Sequence, residues 1–255
     1  MNQIYSRVVR GMCVVSLMIV SSCNSPYKLT TITGEKTVTN ASWDSKPDTK
    51  AIAVLAPYKA KIDSIMTPVV GKSAMDMPAL RPESLLSNLV ADVLRESTTH
   101  YLNETADIAV MNIGGLRNSL KKGDITYGDI YEILPFLNAL CMVTMKGDLV
   151  EELMQNIVSV KGEGISNVKL HATNDGQIIS CTIGGEPLDR NRTYKVATID
   201  YLAEGNDRLV AFKKTESKQF IPEATIRQIF LDYVVEQTKQ GKEITSAVEG
   251  RIIIE

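Results

Sequence analysis

Only two histidines, His100 and His171, occur in the 255 residues, and neither stands in a DxH, GNH or HExxH pattern. A hydrolytic metal centre needs several His, Asp or Cys donors converging on one point. There is no GxSxG elbow either, and no Ser or Cys in a base-bearing motif. The sequence therefore offers no catalytic residue and no metal site. What it does carry is a set of groups suited to binding. In Asn112-Ile113-Gly114-Gly115-Leu116-Arg117, two glycines let the backbone approach a ligand, and Arg117 supplies a planar cation suited to phosphate or carboxylate. Phe136 stands in Pro135-Phe136-Leu137-Asn138, and Tyr201 opens a polar loop that runs to Asp207. Taken singly, each has a bland reading: a tight turn, a core aromatic and a surface aromatic.

These groups lie at the ends of elements that the hydropathy pattern predicts. Leu85, Leu86, Leu89, Val90, Val93 and Leu94 recur at helical spacing behind Pro82 and Glu83. A helix is expected over 51–66, with Ile52, Leu55, Ala56, Lys59, Ile62 and Met66 near one face. The apolar run 106–111 reads as a buried strand ending at Asn112. Thr126, with Asp129 three residues on, reads as the cap of a short helix that stops before Pro135. Strands are expected over 138–145, 168–173, 177–183 and 193–199, with Asn174-Asp175-Gly176 and Gly184-Gly185 as turns. Lys146-Gly147-Asp148 reads as a turn, 149–158 and 222–238 as helices, 251–255 as a last strand and 30–33 as a short one. The irregular interleaving argues an α+β (mixed α/β) fold around one core, a mixed sheet flanked by helices.

The chain is 44% hydrophobic and 23% charged, with 28 Lys+Arg against 30 Asp+Glu, so extended disorder and nucleic acid as the main partner are both excluded. Residues 1–22 read as a signal peptide: Arg7 and Arg10 precede an apolar run too short to span a bilayer. The run ends in Val20-Ser21-Ser22-Cys23, which resembles the bacterial lipobox and makes Cys23 a lipid acceptor. Residues 23–50 read as a polar spacer and 51–255 as the folded domain. The expected location is export, with lipid anchoring to the bacterial envelope. Cys141 and Cys181 lie in apolar stretches and read as buried free thiols, with a disulfide as the alternative in an oxidising compartment.

In order along the chain, these segments resemble the C-terminal, substrate-binding domain of the 5'-nucleotidase family. The markers are Glu83 with Asn88-Leu89-Val90-Ala91-Asp92, Ala106-Asp107, the 112–117 string, Gly123-Asp124-Ile125-Thr126-Tyr127-Gly128-Asp129, Pro135-Phe136-Leu137-Asn138, Tyr194-Lys195-Val196-Ala197-Thr198 and Gly205-Asn206-Asp207. The resemblance implies that Phe136 and Tyr201 sandwich a nucleobase and that Arg117 meets the phosphate. It also implies that Asp207 accepts from the ribose hydroxyls, with Asn112, Gly114 and Gly115 completing the site. Two departures stand out. Leu80 occupies the place of a family arginine, leaving Arg81 as a displaced phosphate contact, and a glycine-rich GGDG loop is reduced to Gly205-Asn206-Asp207-Arg208.

Full-length members place a dinuclear metallophosphoesterase domain ahead of this one, with a bridging helix that the 51–66 segment resembles. The resemblance thus implies the nucleotide-recognition half of a split 5'-nucleotidase. It would bind a nucleoside or nucleoside monophosphate, carry no cofactor of its own, and work with a separately encoded metallophosphoesterase holding the metals. The alternatives are a non-hydrolytic nucleoside- or nucleotide-binding lipoprotein and a degenerate interaction domain.

Overall fold

A computed structural model describes residues 30–215 and 217–255. Residues 1–22, expected to be a signal peptide, and Cys23, the expected lipid acceptor, lie outside the described residues. Residues 30–39 form no regular element, so the strand expected over 30–33 is absent: those residues have no sheet neighbour with which to pair. A short 3-10 helix, Ala41–Ser45, follows, capped by the Asn40 side chain. Helix α1, Thr49–Met66, forms where helical spacing predicts it, yet none of its residues is buried.

The compact unit Val54–Glu255 holds three sheets. Its strands are β1 (Val69–Ser73), β2 (Ile108–Met111), β3 (Gly123–Thr126), β4 (Ala139–Lys146), β5 (Gly164–Ser166), β6 (Val168–Ala172), β7 (Ile178–Ile183), β8 (Glu186–Pro187), β9 (Thr193–Ile199), β10 (Ser217–Thr225) and β11 (Ile252–Ile254). The central sheet has the order β10-β4-β9-β2-β5, mixed because only β9 and β2 run parallel. β1 pairs with β3, and β11-β6-β7-β8 make a separate four-stranded sheet. The architecture is α+β, as the interleaved pattern implies.

Helix α2, Leu85–Leu102, buries Leu86, Leu89, Val90, Val93 and Leu94 against β2, β5 and β9. Ser84 caps it, and the Ser84 and Ser87 side chains close a capping box. Helix α3, Tyr127–Ile133, begins at Thr126, whose hydroxyl accepts from Asp129 N while the Asp129 carboxylate accepts from Thr126 N. Such a box satisfies two backbone groups that a helix start otherwise leaves to water. Helix α4, Gly147–Ser159, includes the Gly147 and Asp148 expected in a turn. A Cβ on Gly147 would lie 2.0 Å from the Asp189 carbonyl oxygen, so close packing rather than a turn explains this glycine. Helix α5, Asp200–Ala203, is a single turn after β9.

Helix α6 spans Ile226–Lys239 rather than starting at Pro222. Pro222 instead lies in β10, an edge strand where a missing N–H is tolerated, at an irregularity in its pairing with β4. Thr225 takes the cap, its hydroxyl accepting from Gln228 N at 3.3 Å. The buried side chains of these elements form one continuous core.

Cys141 on β4 and Cys181 on β7 are free thiols in different sheets; Cys141 is buried, whereas Cys181 is only half-buried. Desolvation pushes Cys141 up to about 12 and Cys181 up to about 11. Both stay protonated, and hence poorly nucleophilic, near neutral pH. Iodoacetamide at about pH 8 is expected to leave both unmodified in the native protein and to alkylate both in denaturant. Peptide mass mapping reads this, and rapid native labelling at Cys181 would contradict it.

Candidate functional site

Strand direction gathers the predicted residues. β2 and β9 run parallel, so Asn112 after β2 and Tyr201 after β9 emerge at the same sheet edge. β4 runs antiparallel to β9 with Leu140 opposite Ile199, which brings the preceding 135–138 segment to that edge as well. The result is a cleft of about 700 Å³ lined by Asn112, Gly114, Gly115, Arg117, Phe136, Leu137, Asn138, Tyr201 and Asp207. All seven residues expected in a binding site are among them.

The cleft has a polar floor and aromatic walls. Asn112 is 5% exposed, and its Nδ2 donates to Asp207 Oδ2 at 2.5 Å. The Tyr201 hydroxyl donates to Asp207 Oδ1 at 2.9 Å, a bond that raises the Tyr201 pKa above the usual phenol value. Both oxygens of Asp207 are thereby oriented by cleft residues. Asn112 Oδ1 is buried and has no hydrogen-bond partner among the described residues. Leaving such an acceptor unpaired costs about 1–3 kcal/mol. A donor brought by a ligand would remove that cost.

The glycines differ in role. A Cβ on Gly115 would sit 2.8 Å from Asn112 Oδ1 and 2.9 Å from Met111 Cε, so a larger residue would push the asparagine amide and the methionine tip aside. A Cβ on Gly114 would meet nothing closer than 3.8 Å, and its backbone is open to the cleft. Arg117 is exposed; its Nη1 donates to the Gly114 carbonyl at 3.2 Å, which folds the guanidinium over the turn. Phe136 and Tyr201 are 50% and 40% exposed, so neither ring is spent on the core. The core-packing reading of Phe136 is thus corrected: the buried residues at this junction are Ile133, Leu134 and Ala139.

Asn138 is a cleft residue that sequence reasoning missed. Its Nδ2 donates to Asp200 Oδ1 at 2.8 Å, and the same oxygen accepts from Tyr201 N at 2.7 Å. One carboxylate therefore ties the segment bearing Phe136 to the turn bearing Tyr201. Arg81 lies outside the cleft. It pairs with buried Glu163 and donates from Nε to the Gly162 carbonyl at 2.8 Å. Burial pushes the Glu163 carboxyl above the usual carboxylate range, opposed by the Ile113 N–H and by Arg81.

The described residues do not fit a hydrolytic metal pair. Among them no group of three or more His, Cys, Asp or Glu side chains is placed to hold an ion. His100 is exposed on α2, and His171 Nε2 meets Glu255 at 2.8 Å on the four-stranded sheet.

Comparison with known proteins gives the family. A family model described as "5'-nucleotidase, C-terminal domain" matches residues 69–214. The chain belongs to this family. Protein UshA of Yersinia enterocolitica is 34% identical over 169 residues, covering 63% of this chain and 30% of that protein. The cell wall protein Lmo0130 of Listeria monocytogenes is 29% identical over 272 residues, covering 91% of this chain and 34% of the relative. The chain thus spans about a third of the length of these relatives. Among solved structures, a 5'-nucleotidase precursor from Thermus thermophilus superposes with a TM-score of 0.71 at 27% identity, covering 80% of this chain and 43% of that one.

Proposed function

We propose that this chain is the nucleotide-recognition half of a split 5'-nucleotidase, holding a nucleoside 5'-phosphate for a separately encoded metallophosphoesterase. The convergence of Asn112, Gly114, Gly115, Arg117, Phe136, Tyr201 and Asp207 on one cleft carries this reading. The base stacks between Phe136 and Tyr201, whose faces accept any nucleobase. The sugar hydroxyls donate to the Asp207 carboxylate, and a base or sugar donor reaches Asn112 Oδ1. Arg117 turns from the Gly114 carbonyl to the phosphate, an exchange of a neutral acceptor for a charged one.

The partner would supply both metals and the attacking hydroxide. Two further features support such a partner. The sequence has only two histidines, on separate elements. Helix α1 leaves Val54, Leu55, Tyr58, Ile62 and Ile65 each more than half exposed, a surface that a protein would cover. In the same reading 1–22 is a signal, 23–50 a spacer and 51–255 the domain. Cys23 carries lipid at the bacterial envelope; the relative named a cell wall protein supports an extracytoplasmic site.

The test is titration with AMP and adenosine, paired with a phosphate-release assay in manganese or zinc. The wild type is expected to bind AMP and to release no phosphate above background. Arg117→Ala is expected to weaken AMP by about 10- to 100-fold while changing adenosine little, because only AMP offers a phosphate. Turnover that tracks the purified chain and is abolished by chelator would overturn the split reading. For the anchor, Cys23→Ser is expected to leave an unprocessed precursor or a protein released from the membrane fraction. A correctly processed, membrane-bound Cys23→Ser protein would contradict it.

A further inference from the structure

A second pocket of about 490 Å³ adjoins the cleft and shares Asp207 with it. Arg81, Ser159, Val160, Lys161, Glu163 and Arg208 complete its lining. Its acids are already engaged. Glu163 is 1% exposed, with Oε1 taken by Arg81 and Oε2 by the Ile113 N–H, and Asp207 accepts from Tyr201 and Asn112. The cations are not engaged to the same degree. Lys161 donates only to the neutral Asn174 carbonyl, and Arg208 makes no side-chain hydrogen bond or ion pair among the described residues. Of the five donors on Arg81, Nη1 makes no bond among the described residues.

The backbone adds a second, independent observation. Lys161 and Arg208 have φ of +65° and +66°, in the left-handed region where glycine is favoured and long side chains are uncommon. Strained positions of this kind persist where the surroundings impose them, and they cluster at ligand-binding loops. Asp207, with φ of +51°, shares this backbone, so three left-handed residues from two loops line one pocket, and two of them are cations.

We propose that this pocket is an anion subsite for a phosphate carried on the ribose 2'- or 3'-oxygen, so that the preferred ligand is a nucleoside bisphosphate. The inference rests on the cleft reading above, in which Asp207 meets the ribose hydroxyls. A phosphate on one of those oxygens passes Asp207 into the adjoining pocket. There it meets Arg208, Lys161 and the outward edge of Arg81, while the 5'-phosphate keeps Arg117.

Calorimetric titration with AMP, adenosine 3',5'-bisphosphate and adenosine 2',5'-bisphosphate tests this on the wild type, Arg208→Gly and Lys161→Ala. One bisphosphate is expected to bind about 10- to 100-fold more tightly than AMP, and which one identifies the oxygen. Arg208→Gly is expected to remove most of that gain and leave AMP affinity unchanged, since Arg208 does not line the cleft. Glycine suits the left-handed backbone, so this variant should fold, and thermal melts check it; Lys161→Ala gives a second reading of the same gain. The advantage should also shrink as salt rises. AMP binding with no gain for either bisphosphate overturns the subsite alone, as does a gain that survives in both folded variants. Failure of AMP and both bisphosphates to bind overturns the cleft reading and the subsite together.

Discussion

Tyr201→Ala is expected to lower the affinity for adenosine and AMP by about 5- to 150-fold, the loss of one base–aromatic stack worth about 1–3 kcal/mol. Phe136→Ala should lose a similar factor, because the two rings line the same cleft from different segments. Both side chains are about half exposed, so truncation opens no core cavity and thermal melts should change little. Tyr201→Phe isolates the hydroxyl. It keeps the ring and loses only the bond that orients Asp207, a contribution of about 0.5–1.5 kcal/mol. Its effect should therefore be the smaller and should be common to adenosine and AMP. Calorimetry on the folded variants separates these terms. Unchanged affinity in Tyr201→Ala would remove the aromatic clamp from this cleft.

The largest stability change is expected at Arg251. This side chain is 10% exposed and fastens the C-terminal segment to the body of the domain. Its Nη1 and Nη2 donate to the two Asp92 oxygens at 2.8 and 2.7 Å, Nη1 also reaches the Ile165 carbonyl at 2.8 Å, and Nε reaches Glu249 at 2.8 Å. Asp92 in turn accepts from Ser166, whose hydroxyl also accepts from Arg95 Nε. The network thus joins α2, the β5 strand and the segment entering β11. Removing Asp92 takes the bidentate partner from a buried guanidinium and leaves it only the exposed Glu249 carboxylate as counter-ion. Loss of a sole, fully buried partner costs about 3–5 kcal/mol, which is the upper bound here. Asp92 is about a third exposed, so water screens part of the loss and Asp92→Ala should cost nearer 3 kcal/mol. For a domain of this size that lowers Tm by roughly 6–12 °C. Arg251→Lys keeps the charge but not the fork, and should fall between wild type and Asp92→Ala. An Asp92→Ala protein that melts with the wild type would show the network to be a solvated surface pair.

Local signals explain which parts of the fold were legible. α2 announces itself by apolar spacing, α3 by its capping box and β9 by alternation, all of which act within a few residues. The pattern over 222–238 predicts a helix from Pro222, whereas Pro222 lies in β10, at a sheet edge that tolerates it, and α6 starts at Ile226. β5 is three residues long and carries no periodicity. For the site, the seven residues marked by family resemblance do converge, and the topology shows why. Asn138 and Glu163 were invisible because their partners, Asp200 and Ile113, stand 62 and 50 positions away. Nothing local distinguishes such a residue from any other polar one. The resemblance gives Arg81 only as a displaced phosphate contact, and the structure sets it outside the cleft, paired with the buried Glu163 carboxylate.

The most direct measurement is a crystal structure of the protein grown with AMP. The adenine is expected between Phe136 and Tyr201, a ribose hydroxyl on Asp207, a donor on Asn112 Oδ1, and the phosphate on Arg117. Ordered AMP elsewhere on the domain, with the Phe136–Tyr201 cleft empty, would contradict it.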